Sequence, residues 1–310
     1  MTTAEVTTSE VAVPEGASVP RQQFVPSASG IRRTIYSLCV DDYAPRIRQL
    51  TMPLMKAYAK KIGADLVTIT ERKRPEWPIT IEKFQVAELA KQRGDDWAMF
   101  FDADTLISPE MFDPTIHMNK AEIAHNGKDF NGIRWTMDPY FMRDGRWFGS
   151  CTWVVIASDW TVEDLWHMPT LKPEEVFGVK DARGDWLVAP RIHPTVQEHN
   201  SGNCKTEHLI DDYTLSRNIA RFGLKATTLI DICKGIGMVQ PDGRGYNPYL
   251  WHIYTHTEEE KLQRMLNVLS APNRAIIPDP QTKQPLDMGW GLMDEKMANQ
   301  LRETWQLPRR

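Results

Sequence analysis

Hydrophobic and polar positions alternate between two rhythms over the first third of the chain. "RRTIYSLCV", residues 32–40, is a short apolar run with β-branched and aromatic residues and reads as a buried strand. "DDYAPRIRQLTMPLMKAYAKKIG" follows as a loop and then a helix, closed by Gly63. "ADLVTIT" is a second strand, and "ERKRPEWP" is a loop stopped twice by proline. "ITIEKFQVAELAKQRG" reads as one helix ending at Gly94, and "WAMFFDADTLI" as a third strand that carries acids at its end. Strand, helix, strand, helix, strand predicts a mostly parallel α/β sheet with right-handed crossovers. Ligands in such sheets bind beyond the carboxyl ends of the strands, which is where Asp102 and Asp104 fall.

The second half is less regular. "AEIAHNG" predicts a short strand, residues 128–147 an aromatic-rich loop, and "CTWVVIAS" (151–158) a strand. Residues 159–185 read as a helix followed by turns, "TEHLIDDYTLSRNIARFGL" as a helix, and "KATTLI" as a strand. "LWHIYTH" is a short strand or strand end, and "TEEEKLQRMLNVLS" is a helix. Residues 1–30 have no periodic pattern and predict a disordered arm. No polar linker divides residues 31–270, so one domain is expected there, followed by a proline-bearing tail, 271–310, with a short helix near "GLMDEKMANQLRETW".

Composition changes this picture little. Hydrophobic residues make up 41% and charged residues 25%, enough for a sizeable core. A net charge of −4 gives no global case for nucleic-acid binding. The four cysteines, Cys39, Cys151, Cys204 and Cys233, form no CxxC pair and read as buried free thiols. The N-terminus has no apolar segment of a signal peptide, and no stretch is long and apolar enough to span a bilayer, so a cytoplasmic location is the default expectation.

The acids carry the chemistry. Two carboxylates separated by one alanine repel each other and lose hydration on burial, so a positive partner is expected between them. In extended backbone, residues two apart share a side, and the pair could then hold one Mg²⁺ or Mn²⁺, with a diphosphate completing the shell. The same acids would also suit a solvated turn with Asp104 capping a helix.

"AMFFDADTLI", with its D-x-D at a strand end after an apolar run and two β-α units, resembles the metal-dependent glycosyltransferases of the GT-A type that use nucleotide sugars. The resemblance covers roughly residues 31–260. It implies a single Rossmann-like GT-A domain, a nucleoside-diphosphate sugar donor and Mn²⁺ or Mg²⁺. It also implies roles for particular residues. Asp102 and Asp104 would meet the metal, and Lys83 in "WPITIEKFQV" would hold the donor or orient the acids. Tyr43 and Asp42, after the first strand, would lie near the nucleotide, and Gly149 in "WFGSCTWVV" near the donor. Asp211 and Asp212 would supply a base or bind the acceptor, and either His252 or His256 in "LWHIYTH" would complete the metal shell.

Two rival classes remain at this level. A nucleotidyltransferase would open with a glycine-rich loop after the first strand, and "SLCVDDYAPRIRQ" has none. A carbohydrate- or nucleic-acid-binding module would use the eleven tryptophans but has no need of acids at a strand end. The acceptor is left open. Modified DNA, glycosylated at a hydroxymethylated pyrimidine flipped from the duplex, is the named alternative, with Arg32, Arg33, Arg46, Arg48, Arg143, Arg146 and the "ERKRPEW" loop as phosphate contacts.

Overall fold

The computed structural model describes residues 30–126, 153–168, 210–239, 247–253, 257–270, 277–278, 285–286 and 291–307. Residues 1–29 of the expected arm, and Gly149 and His256, lie outside these residues.

The first strand, β1 (Arg33–Leu38), leads through a 3-10 turn into α1 (Pro45–Ile62), and β2 (Asp65–Ile69) follows. Both α1 and the next helix, α2 (Gln85–Arg93), end on a glycine in the left-handed region, Gly63 and Gly94, where the chain reverses without a Cβ clash. β3 (Trp97–Phe101) and β4 (Thr105–Ile107) flank the acids, and β5 spans Glu122–His125. Then come β6 (Val154–Ser158), α3 (Val162–Leu165), α4 (Ile210–Phe222), β7 (Lys225–Thr228) and α5 (Leu229–Gly235). β8 (Leu250–His252), α6 (Glu258–Leu269), β9 (Ile277–Pro278), β10 (Pro285–Leu286) and α7 (Glu295–Thr304) complete the order.

Six strands form one sheet in the order β2-β1-β3-β6-β5-β7. β1 pairs in parallel with both β2 and β3, and β5 pairs in parallel with β7. β6 runs antiparallel to both of its neighbours, so the sheet is mixed and largely parallel. Strand alternation sends neighbours to opposite faces. Ile35, Met99, Phe101 and Ile156 pack with α1, α5 and α6, while Tyr36, Ala98, Phe100 and Val155 pack with α2, α3 and α4. Helices on both faces bury the central strands β3 and β6 completely, which explains their near-continuous apolar runs.

Several expected elements differ in detail. "ITIEKFQVAELAKQRG" is not one helix: a 3-10 segment, Ile79–Phe84, precedes α2. The cause is visible in Glu82, whose fully buried carboxylate accepts the backbone N–H groups of Lys73 (3.2 Å) and Arg74 (2.7 Å) and so ties the segment to the preceding loop. "KATTLI" divides after Thr228, whose hydroxyl accepts the N–H of Asp231 and starts α5. The third strand also divides at the acids. The Thr105 N–H donates to the Asp102 carbonyl at 2.9 Å, so Asp102-Ala103-Asp104 is a turn and not extended chain. In the C-terminal segment, α7 lies against α6: the Arg302 guanidinium donates to Asn267 at 3.0 Å, and Leu307 joins the core.

Candidate functional site

The acidic turn leaves the sheet at the carboxyl end of β3, next to the carboxyl end of β1. Backbone contacts hold it on two sides. The Asp102 N–H donates to the Trp153 carbonyl at 2.8 Å. The Thr51 hydroxyl, buried within α1, donates to the Ala103 carbonyl at 2.5 Å. Beyond the turn, β4 pairs with β8, and Thr105 faces His252. The turn and this two-stranded ribbon bring together residues that are far apart in sequence.

Asp102, Asp104 and His252 each present a ligand atom, and these atoms lie within 4.8 Å of one another. His252 Nε2 is 3.3 Å from Asp104 Oδ1. The His252 ring stacks on Trp153, with centroids 5.0 Å apart and planes at 13°. Two carboxylates and an imidazole nitrogen form a donor set that suits Mn²⁺ or Mg²⁺ with oxygen ligands from a phosphate, so the residues fit such an ion. Among the described residues this is the group able to hold a metal.

Two lysines neutralise the acids. Lys83 Nζ lies 2.8 Å from Asp102 Oδ1 and 2.6 Å from Asp211 Oδ2, with Lys83 and Asp211 both buried. Burial opposes the charge on Lys83, but the carboxylates of Asp102 and Asp211 outweigh it and raise its pKa. Lys261, from α6, ion-pairs with Asp104 Oδ2. The pKa values of the two acids move apart. Burial raises that of Asp102 against the pull of Lys83. Burial acts in the same sense on Asp104, but the His252 hydrogen bond and the charges of His252 and Lys261 prevail and lower it.

Tyr43 closes one side. Its hydroxyl donates to Asp104 Oδ2 at 3.4 Å, while the residue as a whole is 41% exposed. Asp41, Asp42 and Ala44 around it adopt positive φ values of 52°, 49° and 46°. Left-handed backbone costs a residue with a Cβ about 1 kcal/mol or more, so this loop is held in a strained form beside the acids.

The structure thus brings Lys83, Asp102, Asp104, Asp211, His252 and Tyr43 together. It does not bring Asp42 into the cluster, because its exposed carboxylate pairs with Arg48. Asp212 follows Asp211 in α4. Two residues absent from the sequence reading join the site. Lys261 lies in "TEEEKLQRMLNVLS", which reads only as a helix, and Trp153 in "CTWVVIAS", which reads only as a strand. Only the ribbon and the helix packing reveal them.

The basic residues proposed for phosphate contacts are engaged within the fold. Arg33 pairs with Asp113 at 2.8 Å, Arg46 with Glu258 and Glu259 at 2.7 and 2.8 Å, and Arg72 with Asp41 at 3.5 Å. Arg143 and Arg146 lie outside the described residues. Among the described residues no helix is long and apolar enough to cross a membrane.

No protein-family model and no curated protein matches the chain. Solved structures give distant likenesses. One is a glycosyltransferase involved in glycosylation of the major capsid of PBCV-1: 11% identity, TM-score 0.42, covering 76% of this chain and 98% of that one. Another is a Drosophila galactosyltransferase 7 mutant in complex with manganese, UDP-Gal and xylobiose: 12% identity, TM-score 0.34, covering 73% of this chain and 72% of that one.

Proposed function

We propose that the protein is a divalent-metal-dependent glycosyltransferase that moves a sugar from a nucleoside-diphosphate donor to a hydroxyl acceptor. The observation that carries this reading is the Asp102, Asp104 and His252 cluster at the carboxyl end of β3, with Lys83 and Lys261 beside it. An acid pair and an imidazole at this edge of an α/β sheet lie where ligands bind in such folds. A divalent ion held there would supply positive charge to the leaving diphosphate.

The chain's own residues have distinct parts in this reading. Lys83 fixes Asp102, and Asp211 fixes Lys83, so the acid turn is tied to α4. The exposed residue Tyr43 offers a stacking face to the nucleotide base. Asp211 is sequestered by Lys83 and acts as a positioning residue, which leaves Asp212 or the leaving phosphate to take the acceptor proton. The test is release of nucleoside diphosphate from a panel of UDP- and GDP-sugars with Mn²⁺ or Mg²⁺ present. Release that stops on chelation and returns with added metal supports the reading. Release that survives exhaustive chelation rejects it.

A further inference from the structure

Lys261 occupies the acid that the metal needs. Its ammonium pairs with Asp104 Oδ2, which also receives the Tyr43 hydroxyl, while Oδ1 faces His252. Asp104 therefore has no oxygen left free of these partners. A divalent ion drawn to Asp104 meets this ammonium at close range on one nearly buried carboxylate, where their repulsion is weakly screened, so the two cations compete.

The helix that carries Lys261 is anchored. Leu262, Met265, Leu266 and Leu269 of α6 are buried in the core, and Arg46 of α1 holds Glu258 and Glu259 at its first turn. Exchange at Asp104 therefore requires the lysine side chain to swing, with the helix staying in place. Lys261 is 15% exposed along its side chain, so its flexible four-carbon stem has solvent to turn into.

We infer that Lys261 is an exchange cation: it holds Asp104 in the metal-free protein, competes with the divalent ion, and transfers to the donor's diphosphate when metal and nucleotide arrive together. This rests on the metal-site reading above. Its consequence is a coupling. Metal alone binds weakly because it must evict an ammonium that has no new partner. Metal with a diphosphate binds well because the displaced ammonium gains an anion. Each ligand then strengthens the other by the same factor. The device also gives the site a preference for a diphosphate over a neutral sugar, since only an anion receives the displaced charge.

The experiment is Mn²⁺ titration of the full chain, followed by calorimetry, first without nucleotide and then with UDP or GDP. Lys261→Met should bind Mn²⁺ alone roughly tenfold more tightly than wild type, within the usual range of two-site coupling. In the presence of UDP or GDP that advantage should vanish or reverse. Lys261→Arg, which keeps the charge, should behave like wild type in the metal-only titration. A Lys261→Met protein of unchanged thermal stability that binds Mn²⁺ alone no tighter than wild type overturns the inference. Asp104→Asn separates the two claims. If it binds Mn²⁺ as tightly as wild type, the metal site itself is misassigned and both readings fall.

Discussion

Lys83 and Asp211 stand 128 residues apart in the chain, yet the ammonium nitrogen of one lies 2.6 Å from a carboxylate oxygen of the other. The same ammonium reaches Asp102 at 2.8 Å. One buried cation thus ties α4 to the acidic turn after β3.

Breaking this contact from the lysine side should be costly. Lys83→Met leaves Asp102 and Asp211 facing each other without a cation, and the loss expected for an uncompensated buried pair is about 3 kcal/mol. Lys83→Met combined with Asp211→Asn should recover part of that loss, because one of the stranded charges is gone. Urea denaturation of the single and double variants measures both. A single variant within about 0.5 kcal/mol of wild type, as at an ordinary surface site, would mean the pair contributes nothing to stability.

Asp104 should matter to ligand binding more than to the apo fold. In wild type, Mn²⁺ with a nucleoside diphosphate at a hundredfold excess over Kd should stabilise the protein by about 2.7 kcal/mol through mass action. Asp104→Asn should lose most of that gain and lower turnover by orders of magnitude. Thermal melts with and without ligands give the comparison, and an equal ligand-induced shift in both proteins contradicts the proposed ligand set.

Trp153 sets the plane of the His252 ring by stacking at 5.0 Å. Trp153→Leu frees the imidazole to rotate, and Mn²⁺ affinity should fall about tenfold, as when the groups that orient a metal-binding histidine are removed. His252→Ala should lower it further. Titration of Mn²⁺ in the presence of nucleotide tests the order, and unchanged affinity in both variants removes His252 from the shell.

His125, buried at the end of β5, should make the fold acid-sensitive. Burial is the main cause, outweighing the charge of Asp231, and it lowers the imidazole pKa from 6.5 to about 4. Between those values the unfolded chain binds a proton that the folded chain refuses. This contribution is therefore complete above pH 6.5 and is lost as pH falls toward 4. Over the whole window the loss is about 3 kcal/mol. His125→Gln should flatten that part of the stability curve relative to wild type, and equal slopes from pH 7 to 4 in urea titrations would place the acid sensitivity elsewhere.

The first β-α units were legible because their signals are local. Apolar runs mark β1, β2 and β3, and glycine at Gly63 and Gly94 ends the helices by left-handed backbone. The acids at the end of β3 were equally legible, since carboxylates directly after a buried run are costly without a partner. Finer boundaries were not. The 3-10 segment before α2 depends on Glu82 reaching back to the N–H groups of Lys73 and Arg74, a contact that periodicity does not encode. The acidic turn was expected to be extended chain, yet β4 pairs with β8, not with the main sheet, and the chain bends to reach it.

By itself the sequence determined which residue types stand at the strand ends: Tyr43 after β1, and Asp102 and Asp104 after β3. Hydrophobic burial and turn chemistry act over a few residues and leave their mark in order along the chain. The partners of those acids were decided only by tertiary structure. Lys261 sits on α6, whose apolar face packs on the core and turns the lysine toward Asp104. Asp211 meets Lys83 because α4 packs beside the segment that carries it. Opposite charges attract at any sequence separation, so which acid meets which base is settled by the packing of the helices that carry them.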